Sequence, residues 1–148
     1  MFKESVKMKG NLNLLLIDQF GNIKLNKNYP NLVVDSGKAY IAQRMTSNSA
    51  TVMTSIAVGT DNTSPANTDI SLGTEIDRVN FSSATVSSNT ITYVASFGVG
   101  SAIGALQEAG IFNSSTANSG TMLCRTTFPV VTKETNDAFT ITWNVSPN

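Results

Sequence analysis

A chain of 148 residues with ten basic and ten acidic side chains has the size of one domain and no net charge, so it carries no electrostatic footprint for nucleic acid or an anionic membrane; protein surfaces are the expected partners. Histidine is absent and Cys124 is the single cysteine, which excludes Ser-His-Asp and Cys-His catalysis, imidazole-ligated metals, internal disulfides and cysteine-built zinc sites. Charges are few while Ser, Thr and Asn abound, a mixture that suits short strands with hydroxyl-bearing outer faces and many turns.

No stretch has the apolar length to span a bilayer, and Met1 to Lys9 lacks the continuous apolar segment of a signal peptide, so folding in cytoplasm is expected. Residues 1–9 alternate loosely, with Phe2, Val6 and Met8 among charged neighbours, and read as an edge strand or an arm. Residues 10–148 read as a single β domain. Its first strand places Leu12, Leu14 and Leu16 on one face, and Asp18-Gln-Phe-Gly-Asn22 turns it into a hairpin with Ile23 onward. Asn26 to Asn31, containing Pro30, reads as a loop, and Leu32 to Val34 as a short apolar run. A helix follows, capped by Asp35 or Ser36, with Ala39, Ala42 and Met45 on one face and Ile41 beside them, ending near Thr46.

Ile56, Ala57 and Val58 form a buried run that Gly59 breaks, Gly59 being expected to supply backbone angles closed to other residues. Asp61, Asn62, Ser64, Pro65 and Asn67 continue as a polar loop. Glu75 and Arg78, three apart, can pair if their stretch is a helical turn. Val79 to Val86 reads as one strand, and Ile91, Tyr93, Ala95 and Phe97 mark the buried face of the next. Gly98 to Gly104 is not spaced as a dinucleotide-binding fingerprint and reads as a glycine-rich hairpin connection. Leu106 to Asn113 is a strand in which Gly110 signals a bulge or a close backbone approach. Ser114 to Gly120 is an exposed loop, Thr121 to Phe128 a strand ended by Pro129, and Val130 to Lys133 its continuation after a kink. Phe139, Ile141, Trp143 and Val145 face inward from the last strand. These elements specify a mainly β protein, an antiparallel β-sandwich-like two-layer fold with one short α-helix.

The residues able to do chemistry are few. Cys124 is flanked by Met122 and Leu123 and reads as a small buried side chain. Glu75, Asp77 and Glu108 are the carboxylates to weigh for acid–base work, but structural ion pairs with Arg78, Arg125 or Lys133 account for them more economically. Asp61, Asn62 and Asp69 have the hardness calcium prefers without the spacing of a known loop, and read as turn residues. Neither catalysis nor a cofactor is expected.

The string Val58-Gly59-Thr60, a polar loop, then Leu72, Glu75 and Arg78, resembles one that recurs in bacteriophage structural proteins, where VGTG or VGDG leads through a loop to a leucine and E-x-x-R. Asp61 stands here in place of the second glycine. Glu108-Ala-Gly-Ile-Phe112-Asn113 resembles the E-A-G-[IL]-F step of the same proteins, Met122-Leu-Cys-Arg125 the strand after it, and Phe139-Thr-Ile-Thr-Trp143 their ending, so the resemblance spans Asn31 to Val145. It implies a virion structural protein made in the host cytoplasm: a capsid decoration or cement protein bound to the major capsid protein, or else a short tail-fibre, collar or baseplate adaptor bound to tail or neck proteins. A homo-oligomer is implied, with a trimer expected by analogy. A carbohydrate-binding module is a further alternative, weakened because Tyr29, Tyr40, Tyr93, Trp143 and the Phe residues are wanted by the core. Partner contacts are expected from Phe2, Val6 and Met8, from Asp61, Asn62, Pro65 and Asn67, and from Ser114, Ser115 and Asn118.

Overall fold

The computed structural model describes residues 5–46 and 50–147. Two five-stranded antiparallel sheets pack face to face. One has the order β2 (Ile23–Pro30), β1 (Met8–Ile17), β10 (Ala138–Pro147), β7 (Thr90–Phe97), β6 (Ser83–Ser87). The other has the order β3 (Leu32–Val33), β9 (Met122–Lys133), β8 (Gly104–Phe112), β4 (Ser55–Gly59), β5 (Glu75–Asn80). The helix α1 (Asp35–Thr46) lies against β9.

Alternation explains the first sheet. Leu12, Leu14 and Leu16 of β1, Tyr93, Ala95 and Phe97 of β7, and Phe139, Ile141, Trp143 and Val145 of β10 enter the core against Ile56, Val58, Leu106 and Ile111 of the second sheet. Burying each large side chain contributes about 1.5–3 kcal/mol. The outer face is a hydrogen-bonded polar layer. Asn13 Nδ2 donates to Asn26 and Asn28, Thr92 to Asn144, and the Ser96 and Thr140 hydroxyls bond each other across strands. This face takes part of the abundant Asn, Thr and Ser, and the loops take much of the rest.

In the second sheet both faces are covered, and β4 is buried at every residue. On its far side a smaller cluster of Val34, Ala57, Leu72, Phe112 and Met122, with Leu32 against it, fills the space beneath the 60–74 loop and the start of α1.

Several expectations change or sharpen in the structure. β2 continues through Asn26 to Pro30, because on an edge strand proline's missing N–H costs no ladder bond. The helix presents Gly37, Tyr40 and Ile41 to the protein and leaves Ala39, Ala42 and Met45 exposed, Met45 by 81 %. Gly37 sets this orientation: a Cβ there would lie 2.1 Å from the Leu123 carbonyl oxygen. The Ser36 hydroxyl is engaged with the Met122 carbonyl at 2.9 Å, which ties the helix to β9. Val79 to Val86 is two strands in different sheets, for the chain crosses over at Phe81, whose ring stacks on Tyr93 at 4.7 Å. The Gly98–Gly104 connection likewise joins β7 to β8 across the sandwich and is not a hairpin. At Gly110 the register is regular and the approach is close, with a Cβ position 3.0 Å from Leu72 and Phe112; the irregularities fall between Leu106 and Glu108, opposite the stretch that holds Pro129, and between Ile111 and Phe112. Met8 and Lys9 belong to β1, which lies inside its sheet between β2 and β10 and is not an edge.

Candidate functional site

The polar residues singled out in the sequence converge on the covered face of the second sheet, where two arginines organise the loops around it. Arg125 on β9 sits across from Gly110, and Glu108 lies two residues before it on β8. Both side chains are buried. Arg125 Nε and Nη2 donate to Glu108 Oε1 at 3.3 and 3.2 Å, Nη2 also to Asp61 Oδ2 at 3.2 Å, and Nη1 to Asp69 Oδ2 and the Thr63 carbonyl at 3.1 and 3.0 Å. All five guanidinium N–H groups thereby have acceptors. Glu108 accepts further from the backbone N–H groups of Asp61 at 3.0 Å, Gly73 at 2.7 Å and Thr74 at 2.8 Å. A buried carboxylate needs this many donors to be tolerated away from water.

The local sequence makes room for that carboxylate. Gly59 is the cross-strand neighbour of Glu108, and a Cβ on it would lie 2.2 Å from the Thr74 carbonyl and 2.7 Å from Glu108 Oε2. Gly59 is not among the glycines of positive φ, so the reason for a glycine is space, and the expected backbone angle is not the cause. Gly73 stands equally close to Asp61 Oδ2, at 2.1 Å from its Cβ position.

Glu75 and Arg78 do pair, but on a strand. In β5 Val58 faces Asp77 while Gly59 faces Glu75, so Ile76 is an extra residue bulged out of the ladder. The bulge turns Glu75 to the side of the sheet that Arg78 occupies, which a regular strand would forbid at a separation of three. Arg78 Nε and Nη2 then bind both oxygens of Glu75 at 3.1 and 2.7 Å, with the two side chains buried. Arg78 Nη1 donates to the carbonyls of Ser114 and Ser119, each at 2.8 Å, and its guanidinium lies 3.9 Å from the centre of the Phe112 ring. The Asn118 N–H, on a residue with φ of 58°, completes the Glu75 carboxylate at 3.3 Å. Arg78 therefore holds the 114–120 loop, while the 60–74 loop is held by Arg125, Glu108 and the buried Leu72.

Asp77 points the other way and binds a third loop. It accepts from the Ser101 hydroxyl and, at 2.8 Å, from the Ala102 N–H. Lys133 acts on the same segment. It is buried without a carboxylate in salt-bridge range among the described residues, and donates to the Gly98 carbonyl at 2.9 Å, so the expected ion pair is replaced by a carbonyl contact. Burial pushes its ammonium below the usual lysine range, against the pull of Asp137 and Asp77.

The residues expected to touch partners divide. Val6, Asn62, Asn67, Ser115 and Asn118 are exposed, Pro65 is half-buried, Met8 packs against the core, and Asp61 and Ser114 are engaged with the arginines. Phe2 lies outside the described residues. The tyrosines and Trp143 turn inward, Tyr29 against Phe128, Tyr40 onto the core, Tyr93 and Trp143 buried, whereas Phe20, in the turn between β1 and β2, is 80 % exposed and does not take the core position expected of it. Burial holds the Cys124 thiol well above its ordinary range, in the neutral form. No helix among the described residues is long and apolar enough to cross a membrane.

Asp61 and Asp69 were harder to place from sequence than the arginines, since acidic residues in a turn carry no signal for a buried cation more than fifty positions away. The only sequence cue was Gly59 and Gly73 bracketing the loop. Compared with protein-family models, curated proteins and solved structures, the chain matches none.

Proposed function

We propose that this chain is a non-enzymatic structural protein of a bacteriophage virion that decorates the head shell, docking on the major capsid protein as a homo-oligomer and stabilising it by added buried area. The observation that supports this reading is that the residues carrying the resemblance have a common mechanical role. Gly59, Leu72, Glu75, Arg78, Glu108 and Arg125 fix the shape of two surface loops, and none of them opens onto a cleft. A loop shaped before contact loses little conformational freedom on docking, so more of its contact energy appears as affinity. Each Å² of apolar surface covered then contributes about 25 cal/mol before association costs. Asn62, Pro65, Asn67, Ser115 and Asn118 are the contact residues this reading nominates, with Val6 beside them. The tyrosines and Trp143 are engaged in the core, and Phe20, the single exposed aromatic ring among the described residues, gives little support to a glycan-binding platform.

Labelling of purified particles with an antibody to the protein tests the proposal. Decoration requires many copies spread over the head and a lower disruption temperature for particles that lack the protein. Label confined to the tail or neck transfers the protein to the adaptor reading, and particles free of it overturn the virion reading altogether.

A further inference from the structure

Among the described residues four strands stand at the sheet edges, and three are blunted against further pairing. β2 carries Lys24, Lys27 and Pro30, β3 is two residues long, and β5 is bent by the Ile76 bulge and charged at Asp77 and Arg78. Charge, proline, bulges and brevity are the means by which proteins keep an edge from recruiting another strand. β6 has none of them. Its residues, Ser83-Ala-Thr-Val-Ser87, are uncharged, in unbroken register with β7, and exposed along their whole length, with Val86 72 % exposed.

The hairpin fixes which of its backbone groups are free. The hydrogen-bonded two-residue turn Ser88-Asn89 makes Ser87 and Thr90 a hydrogen-bonded pair. Alternation then directs the N–H and C=O of Thr85 toward β7, and those of Ala84 and Val86 outward.

We propose that this edge pairs antiparallel with the same strand of a second copy of the chain, about a two-fold axis through Thr85, joining two five-stranded sheets into one continuous sheet. The strand is its own complement. Turned end for end, Ser83 meets Ser87, Ala84 meets Val86 and Thr85 meets Thr85. In this register both Ala84–Val86 pairs are hydrogen-bonded, so the outward N–H and C=O groups of both residues are satisfied in both copies. Thr85–Thr85 becomes the close pair without backbone bonds, a threonine pairing that sheets favour. Ala84 and Val86 lie across from Tyr93 and Ile91 on the core-side face, where the opposing sheet leaves them uncovered; in the pair they cover each other. With a net charge of zero, two copies meet without long-range repulsion. So short a strand makes a small contact, typical of transient association, and copies held side by side on a surface would engage it first. The contact rests on β6 alone and stands independently of the shell reading. It produces pairs, so a three-fold grouping would need a surface of its own.

The test uses the whole chain, whose own Cys124 is buried. Thr85→Cys sets two thiols across the axis at a Cα separation of about 4.5 Å, within disulfide range, whereas Ser83→Cys leaves them roughly 14 Å apart along the strands. Oxidation should link Thr85→Cys into a dimer and leave Ser83→Cys largely monomeric. Sedimentation equilibrium should show a monomer–dimer equilibrium whose midpoint rises about tenfold or more in Val86→Pro, which removes an outward donor and no bond to β7. The melting temperature of the dilute variant should match the parent. Equal linkage at both cysteine positions overturns the register. A monomer at every concentration, with no linkage at Thr85→Cys, overturns the pair and leaves β6 to a strand of another protein.

Discussion

Arg78 is the residue on which the outer layer depends most visibly, because one side chain satisfies a buried carboxylate and two loop carbonyls at once. Arg78→Ala leaves Glu75 charged and buried without its partner, a loss of about 3 kcal/mol, or roughly 6–12 °C in melting temperature for a domain of this size. Calorimetry decides it, and an unchanged transition would contradict the clamp. Lysine should not rescue the variant, since an ammonium cannot reach both carboxylate oxygens and both carbonyls in a fork. The pairing of Glu75 with Arg78 was legible in the sequence, but through a helical turn that does not exist. Its actual cause, the bulge at Ile76, leaves no mark in residue chemistry because any side chain can be the extra one. Glu108 and Arg125 were legible as ion-pair candidates for the opposite reason: charges inside otherwise apolar strands demand partners.

At the scale of elements, the 60–74 segment acts as a cover over the second sheet. Leu72 is its apolar contact, in the cluster with Ala57, Phe112 and Met122, and Gly73 and Thr74 hand their N–H groups to Glu108 beside it. Truncating that contact by Leu72→Ala should cost about 2–4 kcal/mol. Its signature is local: amide exchange of Gly73 and Thr74 should quicken while that of β1 and β10 changes only with overall stability. Uniform acceleration along the chain would refute a separately anchored cover. Elements with one wet face were readable, as β1, β7 and β10 show, because alternation records burial directly. The join of β5 to β6 was not. Asn80, Phe81 and Ser82 contain neither glycine nor proline, so nothing local announces that the chain leaves one sheet for the other. The helix face was misread because a glycine, the smallest residue, marks the contact side here, where size is usually the guide.

Over the whole molecule, the turns at one end of the first sheet are tied electrostatically. Lys24 Nζ meets Asp137 Oδ2 at 2.8 Å. The Lys24 ammonium, and after it the Glu134 N–H, hold the Asp137 carboxyl below its usual range, as the Asn22 N–H does for Asp18. A carboxyl depressed on folding stabilises above its unfolded value, near about 3.9, and that stabilisation is lost as pH falls through the folded value. Melting temperature should therefore drop on acidification below about pH 4, and Asp137→Asn should start lower at neutral pH and lose less on the way down. Parallel curves for the two proteins would remove Asp137 from the account. The same sheet has a feature with a consequence in time. β10 lies in its middle, between β1 from the opposite end of the sequence and β7. A nascent chain translated only as far as β9 holds β1–β2 and β6–β7 as two hairpins with nothing to join them, and Trp143 has yet to enter the core. Pairings this distant in sequence place folding roughly in the millisecond-to-second range. Until the ribosome releases β10, the long apolar face of β1 is exposed to whatever else the cell is making.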